Sequence, residues 1–297
     1  MISKRLLPAV AALSLLAAAC GNTSGAAGKV SVVGSFYPMA WVAERIGGGD
    51  VAVTSLTKPG AEPHDLELTP NQVIKVAEAK SVLYIRQLQP AVDDAVAQHA
   101  KKTALDAASV VTRLPLSGVS ENPRATYDPH VWLDPGRLAA IARAFGARLA
   151  TTDPEHTADY QKGTAALVAD LTKLDAEYRT GLATCKQRTI VTSHAAFGYL
   201  SQRYGLTQVP ITGIDPEAEP SPKRLAELTG TIKKTGVTTV FTETLVSPKV
   251  AQTLAAEAGV KTATLDPIEG VKNGSKDDYL SIMRQNLQTL RTALDCS

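Results

Sequence analysis

His64, His130, His194 and Asp266 are the side chains of this chain whose type and placement could do chemistry together. The sequence has five histidines, and these three each sit at the end of an apolar run, in a loop marked by Pro, Ser or Asp. Three imidazole nitrogens and one carboxylate oxygen are donors that suit a tetrahedral zinc site. The four positions are spread over some 200 residues, so the fold rather than a local finger must bring them together. Each position alone is weak evidence, because a lone histidine is more often a satisfied polar residue than a ligand. Glu243, at the end of an apolar run, reads as a carboxylate facing the same place, where hydrogen bonding fits it better than ligation. Asp65 and Glu67 flank His64 and could orient its ring, as carboxylates behind a metal-ligating histidine do. Asp128 and Asp134 precede prolines and read as turn-forming and capping residues.

The elements that must position these residues alternate between strand and helix. Val30–Gly34, Val51–Leu56 and Val82–Ile85 read as strands, with helices over Tyr37–Ile46, Pro70–Ala79 and Pro90–Ala100. In the second half, strands are expected at Thr189–Thr192, Val209–Thr212, Thr238–Thr242 and Lys261–Leu265. Helices are expected to open near Ala195, at Ser221-Pro222 and at Ser247-Pro248, with a final one over Lys276–Leu294. Such alternation predicts parallel sheets covered by helices. Between the halves, Tyr160, Thr164, Leu167, Leu171, Leu174, Tyr178 and Leu182 recur at steps of three or four, after Asp153-Pro154. That stripe predicts one helix of about 35–40 Å at 1.5 Å rise per residue. The fold class is therefore α/β: two lobes, each a mainly parallel sheet flanked by helices, joined by the long helix. His64, His194 and Asp266 each follow a strand, where open α/β sheets bind ligands, which places the site in the interlobe cleft.

Lys4-Arg5 followed by the apolar run Leu6–Ala19 has the form of an export signal and is too short to span a bilayer. It ends in Leu16-Ala17-Ala18-Ala19-Cys20-Gly21, which resembles a bacterial lipobox with Cys20 as the lipidated residue; ordinary cleavage after Ala19 is the alternative. The expected organisation is a signal peptide over 1–19, a tether over 20–28, an N-terminal lobe over 29–152, the connecting helix over 153–184 and a C-terminal lobe over 185–297. Removing Lys4 and Arg5 takes the formal charge from +2 to 0, and no basic run is present, so no nucleic-acid surface is expected. Cys185 and Cys296 remain in an oxidising compartment, where they either form a disulfide or stay as two buried thiols.

Five segments carry a resemblance: Ser35-Phe36-Tyr37-Pro38, Glu62-Pro63-His64-Asp65-Leu66-Glu67-Leu68-Thr69-Pro70, Asp128-Pro129-His130-Val131-Trp132-Leu133-Asp134-Pro135, Ser193-His194-Ala195-Ala196-Phe197-Gly198-Tyr199 and Leu265-Asp266-Pro267. In this order they resemble the zinc and manganese branch of the solute-binding lipoproteins of ABC transporters. The resemblance implies that His64, His130, His194 and Asp266 are the metal ligands and that two α/β lobes are joined by a backbone helix. It also implies a monomer, held at the outer face of the cytoplasmic membrane or free in the periplasm. The partner it implies is a membrane permease with its cytoplasmic ATPase. Manganese carriers of that family tend to place a carboxylate where this chain has His194. Three imidazoles and one carboxylate favour Zn2+ as cargo, since manganese prefers oxygen-rich sites. The His- and acid-rich loop that many zinc receptors carry is absent from Leu116–Thr126, which has no histidine and one acid, Glu121.

Alternatives from other classes are a manganese or iron receptor of the same family, a secreted zinc hydrolase, or an adhesin that uses the metal for stability. A catalytic zinc keeps an open position, whereas the expected four-residue set is closed. No HExxH motif occurs, and Glu243 is the one evident candidate for a general base. The expectation is a receptor and not an enzyme.

Overall fold

The computed structural model describes residues 28–116, 122 and 124–297. The expected signal peptide, Cys20, most of the tether and Glu121 lie outside the described residues.

Two four-stranded, all-parallel sheets form the body. The first contains β1 (Val30–Gly34), β2 (Val51–Ser55), β3 (Ser81–Tyr84) and β4 (Ala104–Asp106), in the order β2-β1-β3-β4. The second contains β5 (Thr189–Thr192), β6 (Thr207–Pro210), β7 (Thr239–Thr242) and β8 (Lys261–Thr264), in the order β6-β5-β7-β8. The orders correspond strand for strand, so each lobe has a point where the winding reverses and the strand ends open a crevice. β-Branched residues dominate the central strands, and β7 is buried along its whole length.

Helices α1 (Tyr37–Gly47), α2 (Pro70–Glu78) and α3 (Pro90–Ala95) belong to the first lobe, as does α4 (Pro135–Thr152). Thr69 caps α2 in a reciprocal capping box with Gln72, and Asp134 caps α4 by accepting from the Gly136 and Arg137 amides. In the second lobe, the segment after β5 is a 3-10 turn (Ala195–Phe197) that runs into α6 (Gly198–Tyr204), followed by α7 (Pro222–Thr235) and α8 (Lys249–Ala258). The last helix, α9 (Tyr279–Ala293), starts three residues later than expected, because Asp278 and Ser281 form a capping box there. β6 lies two residues earlier than expected, and β4, three residues long, has too little pattern to be read from sequence.

The long helix α5 (Thr157–Gly181) buries Tyr160, Leu167, Leu171, Leu174 and Tyr178, the stripe read from the sequence. Asp153 does not cap it. Pro154–His156 form a 3-10 turn first, and Asp153 Oδ2 is taken by His156 Nδ1 (2.7 Å) and the Tyr160 hydroxyl (2.6 Å). The helix packs on α1 and α4 in one lobe and on α9 in the other. Gly163 permits the first contact: a Cβ there would lie 2.3 Å from the Ile46 carbonyl oxygen at the end of α1. At the far end the Tyr178 hydroxyl donates to the Met283 carbonyl (2.6 Å).

A second seam joins the lobes beside the cleft. Trp132, fully buried against Phe36, donates its indole N–H to the Pro267 carbonyl (2.8 Å), and the Tyr279 hydroxyl donates to the Trp132 carbonyl (2.6 Å). Cys185 and Cys296 are joined in a disulfide that ties the segment before β5 to the chain beyond α9.

Candidate metal centre

Every strand of the second sheet sends a polar residue toward the interlobe cleft from its carboxyl end. His194 follows β5, Asp215 lies in the loop after β6, Glu243 follows β7, and Asp266 and Glu269 follow β8. The first lobe supplies His64 from the loop after β2, and His130 from the 3-10 turn before α4.

The structure brings together His64, His130, His194 and Glu269, all buried, with one donor atom from each within 4.8 Å of the others. Glu269 Oε1 is the common point. It lies 3.1 Å from His64 Nε2, 3.3 Å from His130 Nε2 and 3.2 Å from His194 Nε2. His130 Nε2 and His194 Nε2 are 3.3 Å apart. A tetrahedron of donors at zinc bond lengths has edges of roughly 3.3–3.4 Å. Four of its six edges are therefore already set close to the size that zinc requires.

Asp266, expected as the fourth member, is not in the group, and Glu269 takes that place. Both Asp266 oxygens are engaged elsewhere: Oδ1 accepts the Ile268 amide (2.7 Å) and Oδ2 the Thr244 hydroxyl (3.0 Å). The chain then turns at Ile268, whose φ of 56° is rare for a β-branched residue. That turn carries the carboxylate three residues further on into the cleft. The strand-end rule leads to this loop, and of its two acids Glu269 is the one grouped with the imidazoles. The sequence signal lies in Asp266-Pro267-Ile268-Glu269, an Asx turn followed by a second acid.

Behind the imidazoles stand three more carboxylates. Asp128 Oδ1 accepts from both the His130 amide (2.9 Å) and His130 Nδ1 (2.8 Å). Glu243 Oε1 does the same for the His194 amide (3.0 Å) and Nδ1 (2.7 Å). A hydrogen bond at Nδ1 fixes the tautomer and points the Nε2 lone pair at the centre. Behind His64, Asp215 Oδ1 lies 3.9 Å from Nδ1. Asp65 and Glu67 are exposed, and it is Glu62, two residues before His64, whose Oε2 accepts the His64 amide (2.9 Å). Of these carboxylates Glu243 has a sequence signal, at the end of an apolar run; Asp128 has the sequence context of a turn residue, and Asp215 and Glu62 carry no local signal.

The electrostatics fit a cation site. Burial alone disfavours a charged His194, but the carboxylates of Glu243 and Glu269 outweigh it and hold the ring well above the usual imidazole range. His130 is likewise raised, burial being outweighed by Asp128 and Glu269. Burial pushes Glu269 up, yet the three imidazoles hold it well below the ordinary carboxylate range. Glu62 is raised to about 7, by burial first and by the nearby Glu269 charge. The carboxylates around His130 and His194 thus favour positive charge in this cluster.

His99 and His156 lie elsewhere: His99 is exposed near the end of the helical segment after α3, and His156 pairs with Asp153.

Comparison with known proteins accords with this geometry. The family model described as the periplasmic component A of a zinc-uptake complex matches residues 32–293. A zinc-binding protein, AdcA, of Streptococcus pyogenes is 36% identical over 293 residues, 91% of this chain and 57% of the relative. The chain thus spans little more than half of that relative's length. The high-affinity zinc uptake system protein ZnuA of Bacillus subtilis is 35% identical over 305 residues, 96% of each chain. Among solved structures, the Zn(II)-bound ZnuA-like domain of Streptococcus pneumoniae AdcA superposes with a TM-score of 0.78 at 34% identity, covering 90% of this chain and all of that one. With a family model over most of its length and relatives at this identity, the chain belongs to the family of zinc-uptake component A proteins, which are solute-binding receptors.

Proposed function

We propose that this protein is an extracytoplasmic receptor that captures Zn2+ and delivers it to an ABC-transporter permease for import. One observation carries the reading: three Nε2 atoms drawn from both lobes lie 3.1, 3.3 and 3.2 Å from a single carboxylate oxygen, and two of them 3.3 Å from each other, separations close to the edges of a zinc tetrahedron. The ligands we propose are His64, His130, His194 and Glu269. Such a set leaves no open position for an activated water, which distinguishes a carrier from a zinc hydrolase. Glu243, the candidate general base, already accepts two hydrogen bonds from His194, so it is a support for that ring. Imidazole-rich, four-coordinate geometry favours zinc over manganese.

Capture follows from the lobe origin of the ligands. Two imidazoles come from the first lobe, and one imidazole with the carboxylate from the second, so the ion ties the lobes together. The α5 helix limits their relative motion. We further propose the division into lobes over 29–152 and 185–297 with the connecting helix over 153–184, a monomeric state, and attachment through lipid on Cys20. No helix among the described residues is long and apolar enough to cross a membrane, and a relative from Streptococcus pneumoniae is named a zinc-binding lipoprotein.

The test is a competition titration of the metal-free protein with zinc and manganese, alongside zinc uptake in cells lacking the gene. One tightly held zinc per chain, no hydrolase turnover and impaired uptake are expected. Weak or non-stoichiometric zinc binding would refute the reading.

A further inference from the structure

Each imidazole of the centre has a carboxylate facing its Nδ1, but the three contacts differ in reach and in lobe. His130 pairs with Asp128 and His194 with Glu243, at 2.8 and 2.7 Å, each within one lobe. His64 faces Asp215 at 3.9 Å, and these two residues come from opposite lobes. That distance is too long for a hydrogen bond. Of the three Nδ1 contacts it alone spans the cleft, and it alone is longer than a hydrogen bond.

We propose that Asp215 is the positioning residue for His64 and the latch of the cleft, its carboxylate closing onto Nδ1 when the cation occupies Nε2. This rests on the zinc-receptor reading. A cation on Nε2 forces the proton of the neutral ring onto Nδ1, which then donates to a carboxylate within reach and gains basicity from it. At His130 and His194 the acceptor lies within hydrogen-bond range. At His64 it must move by about 1 Å to reach the ordinary hydrogen-bond range.

The Asp215 side of the contact sits on a segment suited to such a movement. Asp215 lies in the loop between β6 and α7, anchored at its base by the Thr212 hydroxyl, which donates to the Asp215 carbonyl (3.2 Å). The loop borders a cleft of about 370 Å³ lined by Thr212, Pro216, Glu217 and Val246. The Asp215 side chain keeps 16% exposure, against 2% for Glu243 and 1% for Asp128, so solvent reaches this contact first. The His64 loop, by contrast, is tied across the cleft by the Gly60 amide, which donates to the Val271 carbonyl (2.7 Å), so the approach is made by Asp215. Because the two residues come from opposite lobes, the closed contact holds the lobes together at His64.

The experiment uses the protein with wild-type Asp215, Asp215→Ala and Asp215→Asn, loaded with zinc alone. Zinc release to a chelator is timed, and the histidine Nδ1–H signals are followed by 1H–15N NMR. We expect release about 10–100-fold faster in Asp215→Ala, the range for loss of a partner behind a metal ligand. The His64 Nδ1–H signal should vanish by exchange with water while those of His130 and His194 persist. Asp215→Asn, whose amide oxygen still accepts, should keep the signal and much of the slow release. Release within twofold of wild type in Asp215→Ala overturns the proposal, and so does faster release with an unchanged His64 signal. Failure of the wild-type protein to hold zinc at all overturns the receptor reading together with it, whereas the preceding outcomes overturn the latch alone.

Discussion

Asp266 Oδ1 accepts the backbone amide of Ile268 at 2.7 Å, and this bond holds the turn that delivers Glu269 to the three imidazoles. A carboxylate that ends a strand can ligate or can shape the loop. Asp266 does the second, with its other oxygen held by Thr244 and its own amide donating to Asn286 (2.9 Å).

Glu269→Ala should therefore cost more than Asp266→Ala. We expect zinc affinity to fall by more than about 100-fold for the first and by about 10–100-fold for the second, as for a group that orients a ligand. Chelator competition on both variants checks the order. Equal affinity of Glu269→Ala and wild type would remove Glu269 from the ligand set.

Glu243→Gln should weaken zinc binding by about 10–100-fold through a misplaced His194, with no gain or loss of hydrolysis. Asp128→Asn should act likewise through His130. Calorimetric titration of each variant, with an esterase assay on the same samples, separates support of a ligand from a catalytic role.

The site predicts opposite pH responses for metal-free and zinc-loaded protein. His130 and His194 are raised in the metal-free fold, where burial is outweighed by facing carboxylates. A raised imidazole contributes stability below its unfolded value of about 6.5, and that stability is lost as pH rises through the folded value. Zinc replaces these protons, so its binding should release protons at pH 7 and strengthen as pH rises. The gap in Tm between loaded and metal-free protein should widen from pH 6 to pH 8.5. A gap that stays constant over this range would contradict the charge assignment.

Cys185→Ser should lower stability by about 2–5 kcal/mol, because the disulfide closes a loop of 111 residues. It lies at the C-terminal end of α9, away from the cleft, so zinc affinity should be unchanged. Thermal denaturation and a zinc titration on the same variant check both halves.

Much of this was legible in the sequence because it rests on periodicity. The α5 stripe from Tyr160 to Tyr178, the strands at Val30 and Thr189, and the Ser221 and Thr69 caps are local patterns, and local patterns are written in order along the chain. The three imidazoles were legible because histidine is scarce here and each lies in a loop after an apolar run. What was not legible is contact between distant loops. Asp215 approaches His64 from 151 positions away, and Asp128 was indistinguishable from a turn residue until its Nδ1 contact was seen. The placement of Asp266 and Glu269 is illegible for a related reason: it depends on the left-handed turn at Ile268, which brings Glu269 to the imidazoles.

The most direct test of the central claim is an anomalous-scattering map at the zinc edge from crystals of the zinc-loaded protein. The account predicts one strong peak within bonding distance, about 2.0–2.2 Å, of Nε2 of His64, His130 and His194 and of a Glu269 oxygen. A peak bound through Asp266, or zinc at a site lacking any of the three imidazoles, would contradict it.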